Sequence, residues 1–413
     1  MSIESSVCYY PKAFPDVFER AEGSFMYSRQ GKRYIDFYSG SSSVNYGHNP
    51  PAMRRALLQY IESGGIVTAM DLDTSVRRVF MERFEEIILH PRRLPYRVMS
   101  PGPSGTSGVE AALTLARKVT GRRNVFAFHG AYHGMGAGSL ATTGDAGLRA
   151  QAGSLPPDVT FFPFDDAYAT GLDSLAYMEA VLSDPKSGVA LPAAVIVETV
   201  QGEAGVFVAS RAWLERLGEL CTRHKILLIV DDVQVGVGRT GPFFSFERCR
   251  MVPDIVVLSK SLSGCGLPLT LVLFREELDV WRPGDYKGTF RGIQPAFATA
   301  TAALEHYWRD DRLEREVKAK GEVMGAALSA LAARFPGALA VRGIGMIWGL
   351  CAPVNPAVID RIARHCFERA LLVEITGRRD SVLKLTPPLT MPDETLTEAL
   401  DTLTGCVDAV LRA

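Results

Sequence analysis

Chemically active residues stand directly after short apolar runs at four places in this chain. Val125-Phe126-Ala127-Phe128 leads into His129-Gly130-Ala131-Tyr132-His133, and Ala194-Val195-Ile196-Val197 leads into Glu198. Ile226-Leu227-Leu228-Ile229-Val230 leads into Asp231-Asp232, and Ile255-Val256-Val257-Leu258 into Ser259-Lys260. Runs of this kind read as strands buried on both faces. In an open α/β sheet, ligands collect beyond the carboxyl ends of such strands. One polar residue in such a place is ordinary, because loops are wet. An acid, an acidic pair, a lysine and an aromatic-histidine loop on one rim would make a site.

Lys260 offers the sharpest chemistry. An amine at the end of a buried strand is partly desolvated, so its pKa falls and the free base can attack a carbonyl. Such a lysine suits an aldehyde cofactor, pyridoxal phosphate. The ring nitrogen of that cofactor stays protonated beside a buried carboxylate. Asp231 is the candidate, with Asp232 left to structural work. Tyr132 can stack on the ring. The phosphate calls for a glycine-rich turn feeding a helix N-terminus, where free N–H groups and the helix dipole favour an anion. Ser104-Gly105-Thr106-Ser107-Gly108, opening a helix expected over Val109 to Thr120, meets that need.

A rival motif is Gly236-Val237-Gly238-Arg239-Thr240-Gly241, a G-x-G-x-x-G after a strand. Dinucleotide binding also requires a helix opening at the glycines. Pro242-Phe243-Phe244-Ser245-Phe246 is a poor helix start, which disfavours a nicotinamide dehydrogenase. The histidines show no metal-ligand spacing, so no metal is expected.

These groups need a scaffold that brings strand ends together. Apolar runs alternating with helical patterns predict a largely parallel sheet, an α/β fold. Gly31 to Phe37 reads as a hairpin strand, Arg54 to Ser63 as a helix, Thr299 to Leu331 as helical and Leu339 to Leu350 as strand-like. The division expected is 1–65 as the N-terminal segment of a small domain, 66–298 as the large cofactor-binding domain, and 299–413 as the C-terminal part of the small domain. Across 413 residues, 45 Lys and Arg against 46 Asp and Glu leave a net charge of −1. That excludes a general basic field for nucleic acid or anionic lipid. No run approaches the ~20 apolar residues of a membrane span. The N-terminus lacks the features of a signal peptide. Seven scattered cysteines with no CxxC pair argue against a disulfide framework. A cytoplasmic enzyme is expected.

Taken in order, the motifs resemble class III pyridoxal-phosphate-dependent aminotransferases. The match is carried by Val230 to Gly241 with Leu258-Ser259-Lys260, Ser104-Gly105-Thr106 with Glu110-Ala111-Ala112, Tyr132-His133-Gly134, Glu198 to Gly205, Gly288-Thr289-Phe290, Pro387-Pro388-Leu389 and Asn45 to Pro50. The resemblance implies fold type I, with a large domain and a smaller α+β domain. Tyr46-Gly47-His48-Asn49, Asp231-Asp232, Ser259 to Gly264 and Gly288 to Gly292 resemble the diaminobutyrate-forming branch. That branch implies exchange of a distal amino group between aspartate semialdehyde and glutamate, giving 2,4-diaminobutyrate and 2-oxoglutarate. A related ω-amino substrate, or an aminomutase, racemase or decarboxylase on the same scaffold, stays open.

Residue by residue, the resemblance implies that Lys260 bonds the cofactor and shuttles a proton, while Asp231 pairs with the ring nitrogen. Gln234 would bond the ring hydroxyl and Tyr132 stack on the ring. Ser104, Gly105 and Thr106 would hold the phosphate, with Glu198 also at the cofactor. Thr289 would reach the neighbouring active site in a homodimer or a dimer of dimers. Tyr38, Tyr46, Glu203 and Lys384 would face the substrate. Relatives pair the glutamate matching Glu203 with an arginine near the Pro-Pro motif. Here Lys384 replaces it, a point charge in place of a bidentate fork.

Overall fold

The computed structural model describes residues 3–166, 168 and 170–412. Its centre is a seven-stranded sheet in the order Tyr96–Met99, Leu271–Arg275, Ile255–Leu258, Leu227–Asp231, Ala194–Val197, Val125–Phe128, Val159–Phe162. The last five of these are parallel, with Asp231 opposite Val257 and Val230 opposite Val197. Leu271–Arg275 runs against both its neighbours. The Val125, Ala194 and Ile255 strands are buried at every residue, as unbroken apolar runs require. Parallel direction puts the carboxyl ends of these strands on one rim.

The Gly105–Thr120 helix packs on this sheet through Val109, Ala112, Leu113 and Ala116. It begins four residues before the expected Val109 start. The cause is its cap: Ser104 Oγ accepts the Ser107 N–H at 3.3 Å, and Ser107 Oγ accepts the Ser104 N–H at 3.2 Å. Gly105 and Thr106 therefore form the first helical turn, not a loop before it. Gly121, at φ 67°, ends the helix in the left-handed conformation that glycine adopts without strain.

The two ends of the chain meet. Phe18–Glu22, Phe25–Ser28 and Arg33–Asp36 form an antiparallel meander, and Leu371–Leu372 joins it parallel to Arg33–Asp36. A four-stranded sheet of Ala340–Ile344, Ile347–Cys351, Val382–Leu385 and Glu374–Thr376 carries the C-terminal residues of the site. The helical stretch expected from Thr299 starts earlier, at Gln294, and breaks into Gln294–Tyr307 and Arg312–Ala333. The boundary expected at 298/299 thus falls inside a helix. Pro242 to Phe246 opens no α-helix, only the short 3₁₀ turn Ser245–Arg248. Arg239 of that glycine motif is fully buried, donating to Asn45 Oδ1 at 2.5 Å and to the carbonyls of Met346 and Pro387. It ties both ends of the chain to the central sheet. Among the described residues, no helix is long and apolar enough to cross a membrane.

Candidate active site

Lys260, Asp231, Glu198, Glu203, Gln234, Tyr132, Gly105 and Thr106 line one cavity of about 150 Å³, together with His133, Gly134, Val200, Val233 and Val235. Four strand ends and one helix N-terminus converge there. Lys260 follows the Ile255–Leu258 strand at φ 47°, a strained backbone for an L residue, and lines the cavity. Burial lowers its pKa to about 8, with Lys384 adding to the effect and Glu203, Glu374 and Asp231 opposing it.

Asp231 closes the Leu227–Asp231 strand and is buried. Its Oδ2 lies 2.7 Å from His133 Nδ1, and its Oδ1 accepts the Val233 N–H at 3.2 Å. A carboxylate accepts more bonds than these two, so Asp231 retains capacity toward the cavity. The Tyr132-His133-Gly134 motif gives no hint of a role for His133. The end of the Ala137–Thr142 helix positions it: its N–H donates to Thr143 Oγ1 at 3.1 Å. Asp232 points away, its Oδ2 accepting the Ser245 N–H at 3.0 Å.

Glu198 accepts the Tyr132 N–H at 3.0 Å, fixing the loop that carries the Tyr132 ring. Burial, and then the charge of Asp231, hold the Glu198 carboxyl well above the usual range. Gln234 donates from Nε2 to Glu203 Oε1 at 2.9 Å. The same oxygen lies 2.5 Å from Lys384 Nζ. Burial penalises the Glu203 carboxylate, but Lys384 and Lys260 overcome it and pull its pKa down to about 2. Lys384 is fully buried. Burial disfavours its charge too, and Glu203 with Glu374 outweighs that, raising its pKa.

The remaining expected residues sit elsewhere. Ser104 caps the helix, outside the cavity lining. Lys384 stands behind Glu203. Tyr38 packs its ring 5.0 Å from that of Tyr10, beside the same cluster. Thr289 is exposed on the surface and does not line the cavity of its own chain. Tyr46 is buried against Tyr307, with ring centroids 4.5 Å apart, and its hydroxyl accepts the Trp308 Nε1–H at 2.7 Å. It borders a separate cleft of about 790 Å³ with His48, Arg54 and Tyr307.

The cavity suits a flat, phosphorylated, hydroxyl-bearing ring. Helix geometry leaves the N–H groups of Gly105 and Thr106 without intrahelical acceptors. Side chains at the cradle's glycines would close it: a Cβ at Gly134 would lie 2.3 Å from Thr106 Oγ1, and one at Gly105 would lie 2.8 Å from Val233 Cγ1. Tyr132 on one wall and Val233 on another provide apolar faces. Gln234 Oε1 and His133 Nε2 are buried with no hydrogen-bond partner among the described residues. Orphaned groups of this kind call for a ligand donor or water.

Comparison with known proteins agrees with this chemistry. The family model described as aminotransferase class-III matches residues 10–407. A diaminobutyrate–2-oxoglutarate transaminase from Bordetella parapertussis is 50% identical over 406 residues, 98% of this chain and 93% of that protein. One from Streptomyces anulatus is 49% identical over 406 residues, covering 98% and 96%. Among solved structures, an ornithine aminotransferase from Toxoplasma gondii with pyridoxal phosphate partly occupying its active site superposes with a TM-score of 0.83 at 25% identity, covering 96% of this chain and 91% of that one.

Proposed function

Because the chain belongs to the class III aminotransferases, we propose that it uses pyridoxal phosphate to exchange a distal amino group between L-2,4-diaminobutyrate and 2-oxoglutarate, in the direction of diaminobutyrate from aspartate semialdehyde and glutamate. The observation that carries this reading is the convergence of the Lys260 amine, the Asp231 carboxylate and the Gly105–Thr120 helix terminus on one cavity. The relatives at 50% and 49% identity supply the substrate pair.

The cofactor, when bound, supplies the electron sink and carries the amino group between two half-reactions in one site. Gly105 and Thr106 hold its phosphate on backbone N–H groups. Asp231, oriented by His133, holds the proton on the ring nitrogen. Tyr132 covers the ring and excludes water on that face. Lys260 would hold the aldehyde end of the cofactor, and its Nζ would move the proton at the substrate carbon that bears the nitrogen. The Glu203–Lys384 pair lets one site serve two substrates. Glu203 neutralises Lys384 when no carboxylate is present, and a glutamate carboxylate competes for the same ammonium. The cofactor-binding body at 66–298 is part of this reading.

The test is direct. Purified protein given diaminobutyrate and 2-oxoglutarate should form glutamate, and Lys260→Ala should lower turnover by at least about four orders of magnitude. Undiminished turnover in that variant would overturn the mechanism. Turnover of other ω-amino acids with none of diaminobutyrate would overturn the substrate.

A further inference from the structure

Glu374 takes no part in the steps above, yet it touches their machinery. It opens the Glu374–Thr376 strand and is 5% exposed. Its Oε2 lies 3.0 Å from Lys384 Nζ, the same ammonium that contacts Glu203. Its Oε1 accepts the Tyr10 hydroxyl at 2.9 Å and the Ser41 hydroxyl at 2.7 Å. One buried ammonium therefore contacts two carboxylates, and these three side chains by themselves carry one negative charge in excess. The two hydroxyls donate to Glu374 but cancel no charge. Excess charge in a buried place is costly unless a counter-charge arrives.

The backbone that presents Ser41 is unusual. Ser39, Gly40, Ser41 and Ser42 run through four consecutive left-handed conformations, at φ 48°, 54°, 52° and 68°. Three of the four are L residues, for which that region is strained. Asp36 imposes the turn from outside: its Oδ1 accepts the N–H groups of Tyr38 and Ser39, each at 2.8 Å. Strain that the surroundings enforce gathers where a side chain must be aimed at a ligand. Here it aims a hydroxyl at Glu374.

A diamino acid whose distal nitrogen is at Lys260 presents, at its other end, a carboxylate and an α-ammonium. Lys384 complements the first, and the surplus carboxylate complements the second. Lys384 contacts Glu203, which lines the Lys260 cavity, and Glu374 contacts Lys384 in turn. We infer that Glu374, presented by Tyr10 and Ser41, is a specificity-determining residue that accepts the α-ammonium of the diamino acid. This rests on the substrate reading above and adds the group that would separate a diamino acid from a simple ω-amino acid.

2,4-Diaminobutyrate and 4-aminobutyrate differ only in that α-ammonium, so their ratio of kcat/KM reads the contact. The wild-type holoenzyme should prefer diaminobutyrate. Glu374→Gln should lower the ratio about tenfold or more, the scale of a charge-assisted hydrogen bond. Tyr10→Phe, which removes one hydroxyl from the partly exposed N-terminal segment, should lower it by a smaller factor. Should Glu374→Gln fail to fold, as judged by thermal unfolding, Tyr10→Phe decides. An unchanged ratio in a protein that does use diaminobutyrate overturns this inference alone. A wild-type protein that ignores diaminobutyrate overturns the substrate reading and this inference with it.

Discussion

An amine must shed its proton to attack an aldehyde, and at Lys260 the surroundings have arranged this near neutrality. Burial lowers the pKa from 10.5 to about 8, against the pull of three carboxylates. The sign is fixed: below pH 8 the amine is mostly protonated and inert, and above it the free base is saturated. Capture of added pyridoxal phosphate by cofactor-free protein, followed by visible absorbance, should therefore speed up about tenfold per pH unit below 8 and level off above it. A free lysine side chain would keep gaining rate to beyond pH 10, and such a profile here would rule out the desolvated amine. The meeting of Lys260 and Asp231 in one cavity was legible in the sequence because each follows an unbroken apolar run, which fixes both its depth and its rim. His133 was not, since its partner Asp231 is 98 positions away and only the fold joins them. Glu374 escaped as well: it stands at the head of a three-residue strand with no motif around it, and its meaning comes from Lys384, Tyr10 and Ser41.

At the scale of elements, the Gly105–Thr120 helix must lie close enough to the sheet for its first N–H groups to reach the cavity. Gly108 sets that distance. A Cβ there would lie 2.5 Å from Val257 Cγ1 and 2.7 Å from Thr270 Cγ2. Both neighbours are β-branched and stiff, so they give way poorly. Alanine gains up to about 1 kcal/mol of helix propensity over glycine, while overpacking costs about 1–3 kcal/mol. The packing term should win. Gly108→Ala is expected to lower the urea midpoint and to release cofactor faster, because the helix lifts and Gly105 and Thr106 move with it. A more stable variant would show that the helix has slack. The strands and this helix were readable because burial and capping are local in sequence. The start of the helix was misplaced by four residues, since Ser104 and Ser107 cap each other and draw the glycines into the first turn. The left-handed turn at Ser39–Ser42 was hidden for a different reason: a run of serines and glycine permits many turns, and the choice is made by Asp36 from the preceding strand.

For the molecule as a whole, the active site of one chain lacks a residue that the family resemblance assigns to it. Thr289 is exposed and does not line its own cavity. The loop that holds it is fixed, not loose: Arg291 Nε donates to the Ser100 carbonyl at 3.1 Å, and Ile293 bridges to Thr68. That bridge joins the loop to a segment that exposes Ile66, Val67, Met70 and Leu72, and Phe290 is itself 53% exposed. Exposed apolar residues on linked segments are what a subunit interface would cover, and a two-fold pair would let each Thr289 serve the opposite cavity. Mixing two crippled chains tests this. Lys260→Ala keeps Thr289 but has no amine; Thr289→Ala keeps the amine but should bind cofactor poorly. In a hybrid pair, the cavity that contains Lys260 would receive Thr289 from the other chain and be fully wild type, while the second cavity would be doubly defective. Unfolding and refolding the two variants together in equal amounts should therefore recover about a quarter of wild-type activity, since half of the pairs are hybrid and each has one intact site of two. If Thr289 served its own chain instead, every hybrid site would carry one lesion. The mixture would then show no more than the average of its parents.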